Sequence, residues 1–311
     1  MNVIFMGTPE FAVPSLKTLL DTVNVQAVVT QPDRPVGRKR IITPPPVKKI
    51  AVENGLQVFQ PEKVRDEQFI KVLSSFKPDL IVVAAFGQIL PRQVLKVPSI
   101  GCINVHASLL PKYRGAAPIQ WSIINGEQVT GITIMWMDEG LDTGDIFLQE
   151  QLEIKKEWTY EDLAREMSLL GGKVLKKSIE MIKSGNLIHV PQDPEKATYA
   201  PMLKKEHGRI DWNKSAVDIY NLIRGLYPWP GAYTLRNGQE IKIWEAEAIP
   251  QERKVSPGKF YGTVRGKGFL IGCSEGCLLV KELQEAGRKR MTAMEYMAGH
   301  PMSEGDNFAD A

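Results

Sequence analysis

Cysteine is scarce in this chain. There are three among 311 residues, Cys102, Cys273 and Cys277. Three cannot build a disulfide framework, and their spacing fits no zinc site. Histidine is equally sparse, at His106, His189, His207 and His300, so no His/Cys set has metal-ligand spacing and no metal is expected. No stretch approaches the run of about 20 apolar residues that spans a bilayer. The opening Met1-Asn2-Val3-Ile4-Phe5-Met6-Gly7-Thr8-Pro9 has no basic n-region. It reads as a first strand rather than a signal peptide, and a cytoplasmic location is expected. The Gly-x-Ser-x-Gly elbow of serine hydrolases is missing. Gly7-Thr8-Pro9-Glu10-Phe11 has one glycine where the dinucleotide fingerprint needs three, and Pro9 removes an N–H that a phosphate would want. A tight strand-to-helix turn is expected there. No internal repeat is present.

What is there begins with an ordinary balance: 43% hydrophobic, 24% charged, formal net charge +3. The net charge is too small to imply a polyanionic partner, but its distribution is uneven. Residues 34–49 carry Arg34, Arg38, Lys39, Arg40, Lys48 and Lys49 with no acidic residue, together with Gly37 and Pro44-Pro45-Pro46. Such a loop cannot pack as a helix or an inner strand, yet it concentrates charge. A second basic run is Arg288-Lys289-Arg290.

Periodicity predicts strands over 2–6, 25–30, 56–59, 79–85, 100–106, 130–135 and 146–154. Helices are expected over 9–20, 46–54, 66–76, 91–95, 117–125 and 160–184. This alternation implies an α/β domain with a mostly parallel, Rossmann-like sheet covered on both faces. After Gly185 the pattern changes. Residues 186–205 hold His189, Pro191, Pro194 and Pro201 without periodicity and read as a linker. A helix over 215–224 and five short strands, 232–236, 240–246, 258–264, 268–273 and 277–283, suggest a small OB-like β-barrel. The expected domains are therefore 1–189, a linker at 190–205, and 206–311. The polar, acidic end from Ser303 onward reads as frayed.

The most informative stretch is Asn104-Val105-His106-Ala107-Ser108-Leu109-Leu110-Pro111-Lys112-Tyr113-Arg114-Gly115. Asn104 and His106 are two apart, so on a strand their side chains share a face. An amide donor and an imidazole aimed at one spot suit a carbonyl whose oxygen becomes negative during reaction. Pro111, Tyr113, Arg114 and Gly115 make a sharp exit loop. Cys102 has the same parity, so a nucleophilic role must be weighed, but nothing near it marks an activated thiol. Cys273 and Cys277 flank Ser-Glu-Gly, which reads as a hairpin turn, and all three cysteines read as buried or strand thiols.

Farther on, Asp138-Glu139-Gly140-Leu141-Asp142-Thr143-Gly144-Asp145 holds three aspartates in a Gly-rich loop. Their spacing does not fit the calcium loop. They are turn formers or, for one of them, the carboxylate that orients and charges an imidazole. Residue types alone leave Asp138, Asp142 and Asp145 all open.

Taken together, the Asn104–Gly115 and Asp138–Gly144 segments resemble the folate-dependent formyltransferase pattern. The resemblance implies that Asn104, His106 and Asp142 form a catalytic trio. It also implies that Ser108, Leu109, Leu110 and Pro111 contact the co-substrate, 10-formyltetrahydrofolate. Residues 28–38, Val-Val-Thr-Gln-Pro-Asp-Arg-Pro-Val-Gly-Arg, are similar to the N-terminal loop of the methionyl-tRNA formyltransferases. Residues 223–233, Ile-Arg-Gly-Leu-Tyr-Pro-Trp-Pro-Gly-Ala-Tyr, are similar to the start of their C-terminal domain. Members usually carry Ala-Phe-Asn where this chain has Gly225-Leu226-Tyr227, a departure outside the chemistry.

The resemblance implies transfer of a formyl group to the α-amine of methionyl-initiator tRNA. Arg34, Arg38, Lys39 and Arg40 would contact the tRNA, and the C-terminal barrel would cradle its acceptor arm. Other acceptors use the same trio. A glycinamide ribonucleotide enzyme lacks a C-terminal domain of this size. An amino-sugar nucleotide enzyme shares the Pro-Trp-Pro-Gly segment, and a hydrolase releasing formate would need neither loop nor barrel. A non-catalytic tRNA-binding protein would not need an intact trio.

Overall fold

Short, fully apolar runs lack a polar face and become inner strands of a parallel sheet. A computed structural model of the chain describes residues 1–37, 40–250 and 255–309. In chain order its strands are β1 (Asn2–Gly7), β2 (Asn24–Val29), β3 (Arg34–Val36), β4 (Ile41–Thr43), β5 (Val58–Phe59), β6 (Leu80–Ala84), β7 (Gly101–His106), β8 (Arg114–Gly115), β9 (Val129–Trp136), β10 (Ile146–Glu153) and β11 (Tyr199–Ala200). The helices over the same range are α1 (Val13–Thr22), α2 (Pro46–Glu53), α3 (Glu67–Ser75), α4 (Arg92–Leu95), α5 (Pro118–Ile124) and α6 (Tyr160–Lys183).

The main sheet has seven strands in the order β10-β9-β7-β6-β1-β2-β5. From β7 to β5 every pairing is parallel. β9 runs antiparallel to both β7 and β10. Strand order reverses at β1, whose neighbours are β2 on one side and β6 on the other. In open α/β sheets ligands bind outside the carboxyl ends of the strands at such a reversal, and β7 ends at His106 beside that point. One face of the sheet buries Ile4, Met6, Ala27, Val29, Ile81, Val83 and Cys102 against Leu73 of α3 and Val94 of α4. Asp66 caps α3, accepting from Gln68 N and Phe69 N at 3.0 Å each. Glu10–Ala12 form a single turn after β1, closed by Ala12 N donating to Pro9 O at 3.0 Å, which is the tight turn expected there.

Two compact units divide the chain. Met1–Pro118, Val129–Glu153 and Ala164–Ala200 make the first; Ile119–Gln128, Ile154–Leu163 and Pro201–Ala311 make the second. The aperiodic stretch at 190–205 is thus split, with its part through Ala200 counting with the first unit. β11 there pairs with β8, Tyr199 against Arg114 and Ala200 against Gly115.

The second unit holds α7 (Ala216–Gly225), β12 (Ala232–Arg236), β13 (Gln239–Ile249), β14 (Phe260–Val264), β15 (Gly268–Gly272), β16 (Cys277–Glu285), β17 (Met291–Thr292) and α8 (Ala293–Gly299). Its antiparallel sheet runs β12-β13-β16-β15-β14, with β17 added beside β16. The chain end is not frayed through Ala309. Phe308 is buried, Trp212 Nε1 donates to its carbonyl at 2.9 Å, and Thr234 Oγ1 donates to the same oxygen. Ala309 bridges to Leu235 of β12, and Asn307 bridges to Lys259 just before β14. The tail therefore lies between the two edge strands and joins them. A single phenylalanine in a polar stretch has no periodicity, which is why the sequence conceals this. α8 also went unpredicted, although Thr292 and Glu295 cap it reciprocally, Glu295 N donating to Thr292 Oγ1 at 3.2 Å and Thr292 N to Glu295 Oε2 at 2.8 Å. Among the described residues no helix is long and apolar enough to cross a membrane.

Candidate active site

Side-chain alternation along β7 puts Cys102, Asn104 and His106 on one face, but their surroundings differ along it. Cys102 is covered by α4, its Sγ 3.8 Å from the Leu95 carbonyl. Burial raises its thiol to about 12, so it has no nucleophilic character at neutral pH. Past that cover, Asn104 is partly exposed, and among the described residues its amide has no hydrogen-bond partner. His106 is buried, with 5% of its surface exposed.

Both ring nitrogens of His106 face named groups. Nε2 lies 3.1 Å from the Tyr113 carbonyl oxygen. A carbonyl only accepts, so Nε2 carries the proton. Nδ1 lies 3.7 Å from Asp142 Oδ2. That oxygen also accepts from Gly115 N at 2.8 Å. One carboxylate oxygen thus touches the imidazole and the exit loop of its own strand.

The loop after β7 turns through a cis Leu110–Pro111 bond and a left-handed Tyr113, φ 63°. Gly115, at φ 125°, is required: a Cβ there would collide with the Ala200 carbonyl. The three aspartates separate by partner. Asp138 is a turn former, accepting from Gly140 N at 3.0 Å and from Thr143 Oγ1 at 2.7 Å. Asp145 pairs with His189 Nδ1 at 3.2 Å, and the His189 ring stacks on Trp136. Asp142 alone of the three reaches His106. It sits at φ 53°, a left-handed conformation uncommon outside glycine, asparagine and aspartate. Gly144 follows where a Cβ would strike the Trp136 carbonyl.

The Ser108–Pro111 segment is divided. Ser108 is fully buried, and its hydroxyl donates to Lys112 O at 2.6 Å. Leu110 is buried as well, its N–H donating to Thr133 Oγ1 at 3.1 Å and its carbonyl accepting from Gln149 Nε2 at 2.8 Å. Leu109 and Pro111 are the partly exposed members. Sequence reasoning missed Gln149, Thr198 and Gln192, because each acts through side-chain hydrogen bonds with a distant loop. Thr198 Oγ1 accepts from Tyr113 N at 2.9 Å. Among the described residues no group of three or more His, Cys, Asp or Glu is arranged to hold a metal ion.

The basic stretch forms the β3–β4 hairpin, with Arg34 opposite Thr43 and Pro35 opposite Ile42. Arg34 and Arg40 are exposed, as are the consecutive apolar residues Ile41 and Ile42. Arg38 and Lys39 lie outside the described residues. Lys48, by contrast, is turned to Asp33 and Gln60, at 2.8 Å and 2.7 Å. This pairing holds the Asp33 carboxyl below its usual range.

A formyl transferase family model matches residues 1–179, and a formyl transferase C-terminal domain model matches residues 202–301. The methionyl-tRNA formyltransferase of Halalkalibacterium halodurans is 52% identical over 96% of this chain and 95% of its own. That of Acetivibrio thermocellus is 47% identical over 98% and 99%. The chain belongs to the methionyl-tRNA formyltransferase family. Within the wider formyl transferase fold, a solved sugar 3N-formyl transferase, WlaRD in the presence of dTDP and 5-N-formyl-THF, matches with a TM-score of 0.69 at 21% identity. The match spans 93% of this chain and 99% of that one. At that identity the likeness concerns the fold.

Proposed function

We propose that this member of the methionyl-tRNA formyltransferase family moves the formyl group of 10-formyltetrahydrofolate to the α-amine of methionine esterified to initiator tRNA, with Asn104, His106 and Asp142 as the reacting groups. The observation that carries the reading is the contact of His106 Nδ1 with Asp142 Oδ2 at 3.7 Å, two residues along the strand from the unpartnered Asn104 amide.

The amine nitrogen attacks the formyl carbon, and the carbonyl π pair moves onto oxygen. Asn104 donates to that oxyanion. Nδ1 of His106 stands farther from Asp142 than a hydrogen bond, so it is not committed to the carboxylate and is open to the developing charge. Asp142 faces the imidazole and orients it. As the intermediate collapses, the bond from carbon to N10 breaks. The proton lost by the amine ends on N10, relayed by Asp142 directly or through water. The products are N-formylmethionyl-tRNA and tetrahydrofolate. Leu109 and Pro111 supply exposed apolar surface for the folate, while Ser108 and Leu110 stiffen the segment beneath them.

The exposed Arg34 and Arg40 of the hairpin support a nucleic-acid acceptor, as do Arg288, Lys289 and Arg290 on the second unit, all exposed. Their phosphate contacts would be salt-sensitive and largely sequence-independent. The test is formyl transfer from 10-formyltetrahydrofolate to charged initiator tRNA, with charged elongator tRNA as control. Initiator-selective transfer is expected, and equal rates on both would overturn the initiator assignment. Near-full turnover by His106→Ala would overturn the trio.

A further inference from the structure

The main chain that carries the Asp142 carboxylate is hydrogen-bonded by a residue far along the chain. Gln192 Oε1 accepts from Arg114 Nε at 3.0 Å and from Arg114 Nη2 at 2.8 Å. A guanidinium only donates, so these two bonds decide which way the carboxamide faces. Its NH₂ group must then point the other way. There it donates to the Asp142 carbonyl at 2.9 Å and to the Gly144 carbonyl at 2.7 Å. Arg114 is itself buried, and its backbone N–H donates to Thr198 O at 2.8 Å. All the hydrogen-bonding capacity of the Gln192 side chain toward the loop therefore falls on the two residues that bracket Thr143.

Asp142 needs such support. Its left-handed backbone, φ 53°, is rare outside glycine, although aspartate is one of the few residues that adopt it. Without the clamp the loop loses two hydrogen bonds at that point. The Oδ2 atom that meets both His106 and Gly115 N is then free to drift.

We infer that Gln192, oriented by Arg114, is a positioning residue for formyl transfer: it clamps residues 142–144 so that the Asp142 carboxylate stands against His106. The inference rests on the reading of Asp142 as a member of the reacting trio. Gln192 acts through the carbonyls of the loop and does not itself meet the reacting atoms.

The test compares Gln192→Met, Asp142→Asn and the double variant, measuring kcat and KM separately for the folate and the charged tRNA, with thermal unfolding alongside. Gln192→Met keeps the length of the side chain and removes both donors. Its kcat should fall on the order of 10²-fold, as misplacement of a reacting group does, while both KM values stay within about two-fold. The double variant should be no slower than Asp142→Asn alone, because the two changes remove one device. Wild-type kcat in Gln192→Met, or losses that multiply in the double variant, would overturn the clamp. If Asp142→Asn keeps full turnover, the trio reading fails instead, and the two failures are thereby distinguished. Should Gln192→Met not fold, Gln192→Glu takes its place. It retains an acceptor for Arg114 but loses the donors; the same loss of kcat supports the clamp and an unchanged kcat overturns it.

Discussion

The Tyr113 carbonyl determines which way the proton sits on His106. By accepting from Nε2 at 3.1 Å it leaves Nδ1 as the nitrogen that faces Asp142. A backbone oxygen seven residues later on the same loop, |i−j| = 7, thus sets the chemistry of the imidazole. That oxygen is in turn placed by Thr198, which accepts from Tyr113 N.

Of the three proposed reacting groups, Asn104 is the one whose amide has no partner among the described residues. Asn104→Ala should lower kcat on the order of 10²–10³-fold, the typical loss of one oxyanion donor. Its stability should stay within about 0.5 kcal/mol of the parent, since no internal bond is removed. Steady-state formyl transfer and chemical unfolding of the purified variant check both parts. A loss of stability without a loss of kcat would assign Asn104 a structural role.

Exposed arginines on the hairpin should act on tRNA binding rather than on the chemical step. Replacing Arg34 and Arg40 together by Ala should raise KM for the charged tRNA and leave KM for the folate unchanged. The dependence of log KM on log salt should flatten by about 0.7–0.9 for each phosphate that is no longer neutralised. A titration of KM against potassium chloride reads this directly. An unaltered slope would remove both residues from the interface.

The thiols should be inert in the folded protein. Burial pushes Cys102 and Cys273 to about 12 and raises Cys277 as well. For a thiol at about 12 the reactive thiolate is only about 10⁻⁴ of the population at pH 8, and it grows as pH rises toward that value. Alkylation by iodoacetamide at pH 8 should be negligible in the native protein and should reach all three cysteines after unfolding in guanidinium. Rapid native labelling of Cys102 would reopen its candidacy as a nucleophile.

Phe308 closes the second unit from the very end of the chain. Phe308→Ala should destabilise that unit by about 3–5 kcal/mol, the usual cost of emptying a fully buried aromatic site. The side-chain bonds that Trp212 and Thr234 donate to its backbone carbonyl remain available, so the loss isolates packing. Urea unfolding is the readout, followed by fluorescence in a background where the other five tryptophans are replaced by Phe and Trp212 alone reports. A change below about 1 kcal/mol would mean that the tail contributes little.

Much of the architecture was legible because its signals are local. The apolar run at 79–85 has no polar face and became the inner strand β6. Asp66 ahead of a periodic stretch announced the start of α3, and the short Gly-separated strands after residue 230 announced the antiparallel sheet. The tail and α8 were illegible for opposite reasons. The tail relies on one aromatic without periodicity, whereas α8 carries a Thr292/Glu295 cap that was readable and overlooked. In the site, the shared face of Asn104 and His106 followed from the two-residue repeat of a strand. The burial of Cys102 on that same face was expected from its residue type, but that α4 is what covers it was not, because that depends on where α4 lies.

By itself, then, the sequence determined the type and order of most of the longer elements, the donor pair on β7 and the basic character of residues 34–49. Each of these is a property of neighbours in the chain, where backbone periodicity and side-chain chemistry act over a few residues. Residue types left Asp138, Asp142 and Asp145 open and the family resemblance pointed to Asp142; the tertiary structure brings Asp142 to His106, and it alone decided that Tyr113 orients the ring and that Gln192, Arg114 and Thr198 hold these groups in place. Those contacts join aperiodic loops brought together by strand order. Their geometry rests on single hydrogen bonds between distant segments, which leave no repeat for a sequence to display.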